Sequence, residues 1–329
     1  MSSARNGTRL RTTLSTAARA ALVPLLCCFA CNPVFGWGCK GHQAVAAIAF
    51  QQLNAHARAT VLPLLQQLQM DPRVTHFCAN SDTNPFVDVS TWADDIRVIR
   101  PETAPWHFID VPLADRNPST GDCPPQEGCV VTAINAQIAI LRSSTTTPPE
   151  KAMALLFLIH FVGDLHQPLH TTTNNDRGAN CLPVDFFGTT THEGPNEAYR
   201  PNLHGVWDTE LVELDMSGSS VAEFSAHLWQ KYSASIPAWQ SDPPDLNLWV
   251  SEAHTLAAVS AYGQLPTHVQ VETPIAIKAC SDDNHVARRL AALHEVVESR
   301  YSGNVAPVIE QQITKAGARL AGILNRIWQ

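Results

Sequence analysis

An all-α fold is predicted for this chain by three observations. Apolar residues recur at helical spacing in nearly every long segment, and Pro or Gly separates stretches of about 10 to 20 residues. One short stretch, CLPVDFFG, has room for a strand. No internal repeat or low-complexity boundary divides the chain. The expected architecture is a single mostly helical domain over residues 37–329, with a small β-hairpin or loop insertion.

The first 36 residues stand apart. Arg5, Arg9, Arg11 and Arg19 precede the apolar run Ala20 to Ala30, and Val34-Phe35-Gly36 offers a small-residue cleavage site. This is the pattern of a secretory signal peptide, so residues 1–36 are excluded from the fold. Cys31 after Phe29-Ala30 raises a lipid-anchored start, which Cys28 and Phe29 suit poorly. The apolar run is too short to span a bilayer, and no later stretch reaches the roughly 18 apolar residues that a membrane helix needs. An exported chain, periplasmic or secreted, is expected.

Loss of the leader leaves 18 basic and 30 acidic residues, a net charge of −12. That sign excludes a protein gripping nucleic acid through a basic surface. Phosphate chemistry here must draw its positive charge from bound metal. Six Cys remain, Cys39, Cys78, Cys123, Cys129, Cys181 and Cys280. An even number in an exported chain reads as up to three disulfides. Cys123 and Cys129, across Pro124-Pro125, are the expected short loop, and the spacings match no zinc finger.

Cleavage after Gly36 starts the mature chain at Trp37, whose amine and carbonyl can chelate a metal once the amine loses a proton. His42 opens the helical stretch AVAAIAFQQL, and a second helix over Ala55 to Gln69 completes a hairpin before Asp71-Pro72. Asp88 to Arg100 reads as one amphipathic helix with Val89, Trp92, Ile96 and Ile99 on a stripe and Asp94 and Arg97 beside it. Taken alone, those two make a surface ion pair as readily as a site. Trp106-His107-Phe108-Ile109-Asp110 is too short to assign. A Cys- and Pro-rich loop then leads to a helix over Val131 to Arg142.

The stretch that orders the rest is Ala154 to His170, ALLFLIHFVGDLHQPLH. His160 and Asp164 stand at i and i+4 and leave one helix face a turn apart. Pro168 disfavours helix at Gln167, which ends the helix and turns His170 back across it. A surface loop with a small hairpin is expected from there to Asn202. His204 and Asp208 then repeat the i, i+4 pairing. Further helices are expected over Val221 to Tyr232, Leu246 to Ala261, Asn284 to Tyr301 and Val305 to Trp328.

Imidazole and carboxylate suit zinc, and facing helices of a bundle can project them inward. Trp37, His42, Asp94, His107, His160, Asp164, His170, His204 and Asp208 are too many for one tetrahedral site. Here the chain resembles the S1/P1 nuclease family of zinc-dependent single-strand nucleases. The motifs WGxxGH, WAD, HF-I-D, H-x3-D-x5-H and NLH-x3-D occur in the family's order, with Trp249-Val250-Ser251-Glu252 and AGARLAGILN beyond them. The Arg-rich leader points to a bacterial member.

The resemblance implies three zinc ions. Asp94, His107, His160 and Asp164 would hold one, and His170, His204 and Asp208 a second. The Trp37 amine and carbonyl, His42 and a shared Asp164 would hold the third. His166 is no ligand in this scheme. The implied activity is hydrolysis of single-stranded DNA and RNA to 5′-phosphates by zinc-activated water, with 3′-nucleotidase activity, in a monomer. Asp94 would orient the water and Arg97 would meet charge on the phosphoryl oxygens. Phe108 would stack a base, and Asp110 and Asn180 would bond its edge. The family's Gly-Gly-Asn is Gly178-Ala179-Asn180 here. Two rival readings are a zinc-dependent phospholipase C, which Asp208 and the WAD and HF-I-D segments disfavour, and a zinc-binding protein without turnover, which needs neither Arg97 nor Phe108.

Overall fold

The apolar stretch at the centre of the sequence forms an 18-residue helix, Pro148–Leu165. Thr147 and Glu150 close a capping box at its start, with Pro148 in the first turn, where its missing N–H costs nothing. From Ala154 to Leu165 every residue is buried. A helix apolar all round must be enclosed by others. Val130–Arg142 and the 29-residue Ser299–Ile327 pack on it, and the last also lies along Cys39–Gln52. Gly317 keeps that contact close: a Cβ there would lie 2.7 Å from the Ile48 side chain and 2.8 Å from the Val45 carbonyl. Beyond Met1, the computed structural model describes residues 37–329 without 69, 79–83, 190–199, 242, 278, 283 and 294. The leader and its cleavage site lie outside the described residues.

The predicted helices return as Cys39–Gln52, Ala55–Gln66, Val130–Arg142, Val221–Lys231 and Leu246–Leu256, the last continuing through a π-wound Ala257–Tyr262. Two expectations need correction. Asp88 to Arg100 is not one helix: α-helical Pro85–Asp88 and Trp92–Asp95 alternate with 3-10 turns at Val89–Thr91 and Ile96–Val98. The Ser90 carbonyl accepts from His160 Nδ1 at 2.8 Å, so it is drawn out of the regular ladder toward the central helix.

Asn284 to Tyr301 is not one helix either. Asn284–Ala292 ends, Glu295–Val297 forms a strand, and Tyr301 belongs to the C-terminal helix. Val296 and Val297 are β-branched and favour the strand. Their partner is Val184–Phe186, in parallel, with Val184 opposite Glu295 and Phe186 opposite Val297. A tight turn at Phe187-Gly188 adds an antiparallel bridge from Phe186 to Thr189, so the hairpin is only a miniature and the strand's main pairing is distant in sequence.

The segment after His170 is largely buried rather than a surface loop: Thr171, Thr172, Asn174, Asn175, Asp176 and Ala179 are all enclosed. Two successive Asn side chains replace the missing sheet ladder. Asn174 bonds the Gln270 carbonyl and Glu272 N–H, and Asn175 the Thr273 carbonyl and Ile275 N–H, at 2.8 to 3.0 Å.

The disulfides are Cys39–Cys78, Cys123–Cys129 and Cys181–Cys280. The expected short loop is present, and the other two staple the chain start and the buried segment. Cys181–Cys280 spans 99 residues. By the loop-entropy argument its loss costs about 4.7 kcal/mol. The double variant Cys181→Ala/Cys280→Ala should lower the urea midpoint by a corresponding amount, and a loss well under ~1 kcal/mol would show that the denatured chain already holds these ends together. Among the described residues no helix is long and apolar enough to cross a membrane.

Candidate metal centre

The central helix supplies His160 and Asp164 from one face, both fully buried. Their atoms Nε2 and Oδ2 lie 3.2 Å apart, as the i, i+4 spacing requires. His107 reaches the same point from the end of the 3-10 helix Pro101–His107, with Nδ1 at 3.0 Å from Asp164 Oδ2 and 3.1 Å from His160 Nε2. Asp94 approaches from Trp92–Asp95, its carboxylate 3.5 Å from His160 Nε2 and 3.6 Å from His107 Nδ1.

The other carboxylate oxygen of Asp164 faces elsewhere. Oδ1 is 3.3 Å from His42 Nε2 and 3.9 Å from His170 Nδ1. Asp164 therefore stands between groups rather than inside one. His42 stacks on His160 with centroids 3.8 Å apart. This is possible because Gly163 lacks a side chain: a Cβ there would lie 2.9 Å from His42 Nδ1. Trp37, fully buried, lies against the same glycine, and Gly38 N–H donates to the Asp208 carbonyl at 2.7 Å.

The central helix ends at Leu165 with His166 as its cap. Gln167 is extended, as a residue before proline must be, and the 3-10 turn Pro168–Thr171 brings His170 back. His170 Nε2 lies 3.1 Å from His204 Nε2, and His204 Nε2 3.3 Å from Asp208 Oδ2. Asp208 sits in a π-wound turn, Val206–Glu210, which follows the short helix Leu203–Gly205. An α-helical run across His204 and Asp208 was the simpler expectation, and π-turns of this kind concentrate at functional sites.

Backbone carbonyls fix the rings. His160 Nδ1 donates to Ser90, His170 Nδ1 to His107 and His204 Nδ1 to Gly178, at 2.8, 2.8 and 2.6 Å. Each bond turns the opposite nitrogen toward the cluster and sets its tautomer. With Nδ1–H of His170 and of His204 spent on carbonyls, their Nε2 atoms face each other at 3.1 Å. A proton on one nitrogen or a metal ion bound by both would satisfy this contact. Gly178 is needed for its part: its φ is +59°, and a Cβ would lie 2.3 Å from the Leu169 carbonyl.

Three groups of ligand-type atoms result: His42, Asp94 and His160; His107, His160 and Asp164; and His170, His204 and Asp208. All are buried. That donor set, nitrogen and carboxylate oxygen, fits zinc. The electrostatics agree. Burial lowers His42 to about 4, and His107 and His204 to about 3, leaving lone pairs free at neutral pH. Burial opposes protonation of His160 too, but Asp164 and then Asp94 hold it up to about 9. Burial works against ionised Asp164, yet His160, His107 and His42 keep it well below the usual range. A cation is wanted where His160 otherwise keeps a proton.

A pH dependence follows for chelated, metal-free protein. His42, His107 and His204 resist protons when folded but accept them near 6.5 when unfolded. Their contribution is complete above about 6.5 and lost as pH falls toward 4 and 3. His160 has the opposite sign, complete below about 6.5 and lost as pH rises through about 9. The melting temperature of the chelated protein should drop between pH 6.5 and 4, where the three imidazoles lose their contribution, His160 is constant and the raised Asp208 carboxyl offsets part of the loss, and a profile that rises in this window would contradict this assignment.

Arg97 Nη2 is 3.1 Å from Asp94 Oδ1, with the Arg97 side chain 12% exposed, so the pair is largely enclosed rather than on the surface. Phe108 and Asp110 follow His107 on an extended segment whose Ile109 N–H donates to the His170 carbonyl. Asp110 lies open to solvent. Crowding of protein around its carboxyl and then Asp176 raise it above the usual carboxylate range, against Arg177, although the residue keeps contact with water. Asn180 donates its amide to the Arg177 carbonyl at 2.7 Å, which leaves its oxygen free. His166 points away: it accepts from Arg319 at 3.0 Å and bonds the Val162 carbonyl. The surface hollow around Asp215, Ser217, Glu223 and His227 contains none of these residues.

One residue escaped the sequence reading. Gln167, fully buried, donates to Asp208 Oδ1 at 2.5 Å. Its position inside the HQPLH turn was the available signal.

Residues 37–329 match the S1/P1 Nuclease family. The chain is 30% identical to Nuclease S1 of Aspergillus oryzae over 89% of its own length and 92% of that protein's. It is 27% identical to Nuclease P1 of Penicillium citrinum, covering 88% and 97%, and 25% identical to Endonuclease 2 of Arabidopsis thaliana, covering 91% and 93%. Neither a phospholipase nor a metal-storage protein is needed to explain the buried His and Asp groups: the chain belongs to the S1/P1 nuclease family, hydrolases acting on phosphodiester bonds.

Proposed function

We propose that this chain is an exported zinc-dependent endonuclease that cleaves single-stranded DNA and RNA to 5′-phosphorylated products and removes phosphate from 3′-nucleotides. The observation that carries this reading is Asp164, whose two oxygens face different imidazoles at 3.0 to 3.3 Å and so link the groups into one cluster. Asp94, His107, His160 and Asp164 hold one zinc, and His170, His204 and Asp208 a second. His42, the shared Asp164 and the Trp37 amine and carbonyl hold a third. The leader, residues 1–36, must be removed to free that amine. Bound zinc supplies positive charge for the phosphodiester and lowers the pKa of water toward neutrality.

Three carboxylates against three divalent ions leave the pocket cationic on an acidic chain, which draws in a phosphodiester. A water oxygen bonds to phosphorus, the bond from phosphorus to the 3′ oxygen breaks, and that oxygen leaves with a proton as the 3′ hydroxyl. Asp94 accepts the hydrogen bond that orients the water, and Arg97, anchored on Asp94 at 3.1 Å, donates to the phosphoryl oxygens. Phe108 stacks an unpaired base, while Asp110 and the free oxygen of Asn180 accept from its edge. A duplex cannot splay a base in this way, hence the preference for single strands.

Intact mass of the exported protein under denaturing and native conditions, followed by assay on single-stranded oligonucleotides, tests the reading. A chain starting at Trp37 with three zincs and 5′-phosphate products supports it. A different start, a single zinc or absence of cleavage sinks it.

A further inference from the structure

Gln167 holds two pieces of the centre with one side chain. Its amide oxygen accepts from Leu169 N–H at 2.6 Å, capping the 3-10 turn Pro168–Thr171 that carries His170. Because the backbone N–H can only donate, the orientation of the amide is fixed: oxygen to Leu169, nitrogen to Asp208. The amide N–H then donates to Asp208 Oδ1 at 2.5 Å. Asp208 Oδ2 is left facing His204 Nε2 at 3.3 Å. Gln167 is itself fully buried, with no room to swing aside.

We infer that Gln167 is a positioning residue for the second group: it seats the turn that delivers His170 and holds Asp208 so that Oδ2 is presented beside His204. This rests on the reading of His170, His204 and Asp208 as zinc ligands. A neutral amide suits the task. A Lys or Arg here would neutralise Asp208 by forming an ion pair, and a second carboxylate would repel it. The bond to Asp208 also joins residues 41 apart in sequence, so the His170 turn and the Asp208 turn keep one spacing.

The two roles separate by substitution. Gln167→Glu keeps an acceptor for Leu169 N–H but replaces the donor toward Asp208 with a like charge. Gln167→Met keeps the bulk and loses both bonds. Zinc is the probe: its affinity at each site is measured by competition with a chromophoric chelator, its stoichiometry by native mass, and the chelated proteins are melted. In Gln167→Glu one zinc of the wild-type complement should bind about 10- to 100-fold more weakly while the others are unchanged, the scale on which outer partners of metal ligands act. A loss confined to one zinc is what a merely structural role would not produce; the chelated form of this variant should melt below the wild type, because a buried carboxylate then faces Asp208 with no zinc between them. Gln167→Met should show the same weakened zinc and a lower chelated melting temperature, since Leu169 N–H is left unpaired in the core.

Binding of all zinc at wild-type affinity or tighter in Gln167→Glu would overturn the inference while leaving the nuclease reading standing. If Gln167→Glu fails to fold, the same comparison in Gln167→Met decides. A wild-type chain that takes up no zinc would overturn the reading of the cluster and this inference with it.

Discussion

Replacing Asp164 with Asn is expected to lower hydrolysis on the order of 10³-fold and release more than one metal ion. The substitution keeps the shape of the side chain and removes its charge. Oδ2 lies at 3.0 and 3.2 Å from His107 and His160, and Oδ1 at 3.3 Å from His42, so a single change touches the groups on both sides. Loss of a residue that only supports a ligand costs roughly 10- to 100-fold. A residue shared between ions should cost more, on the order of 10³-fold in kcat/KM. The accompanying signature is in the metal-free protein: without its main carboxylate partner, His160 no longer holds its proton toward pH 9. Zinc content by native mass and the rate on a single-stranded oligonucleotide are the two measurements. An Asn variant with a full complement of zinc and near-normal turnover would remove Asp164 from the centre of the scheme.

Arg97→Ala should give the second large effect, and a different pattern. Arg97 has two partners on Asp94, Nη2 to Oδ1 at 3.1 Å and Nε to the carbonyl at 3.3 Å. The side chain is mostly enclosed, so the guanidinium is oriented before substrate arrives. If it stabilises charge on the phosphoryl oxygens, its removal should lower kcat about 10²- to 10³-fold with zinc content unchanged. Arg97→Lys should recover only part of this, because a point charge cannot replace a two-pronged donor. Loss of zinc in Arg97→Ala would show instead that Arg97 serves only to hold Asp94. The two outcomes separate substrate contact from ligand support at the one cation tied to the cluster by a direct ion pair among the described residues.

Periodicity carried the long helices, because a helix that buries one face or all faces must repeat its apolar residues at that period. It also carried the His160–Asp164 pair and the stop before Pro168, both local consequences of backbone geometry. Spacing singled out His160, Asp164, His170, His204 and Asp208, while His42, Asp94 and His107 were carried by the resemblance to the S1/P1 nuclease family, and the fold gathers all eight into the three His and Asp groups. What the sequence could not state was how distant segments meet. The Ser90 carbonyl leaves its own helix for His160, which broke a helix that periodicity alone would have drawn straight through. Val184–Phe186 found its partner at Glu295–Val297, and the polar run after His170 was buried by side-chain amides answering a far loop. Gln167 gained its role only when Asp208 arrived beside it. Local propensity acts within a few residues along the chain, whereas hydrogen bonds across the core are chosen by whichever donors and acceptors packing leaves together.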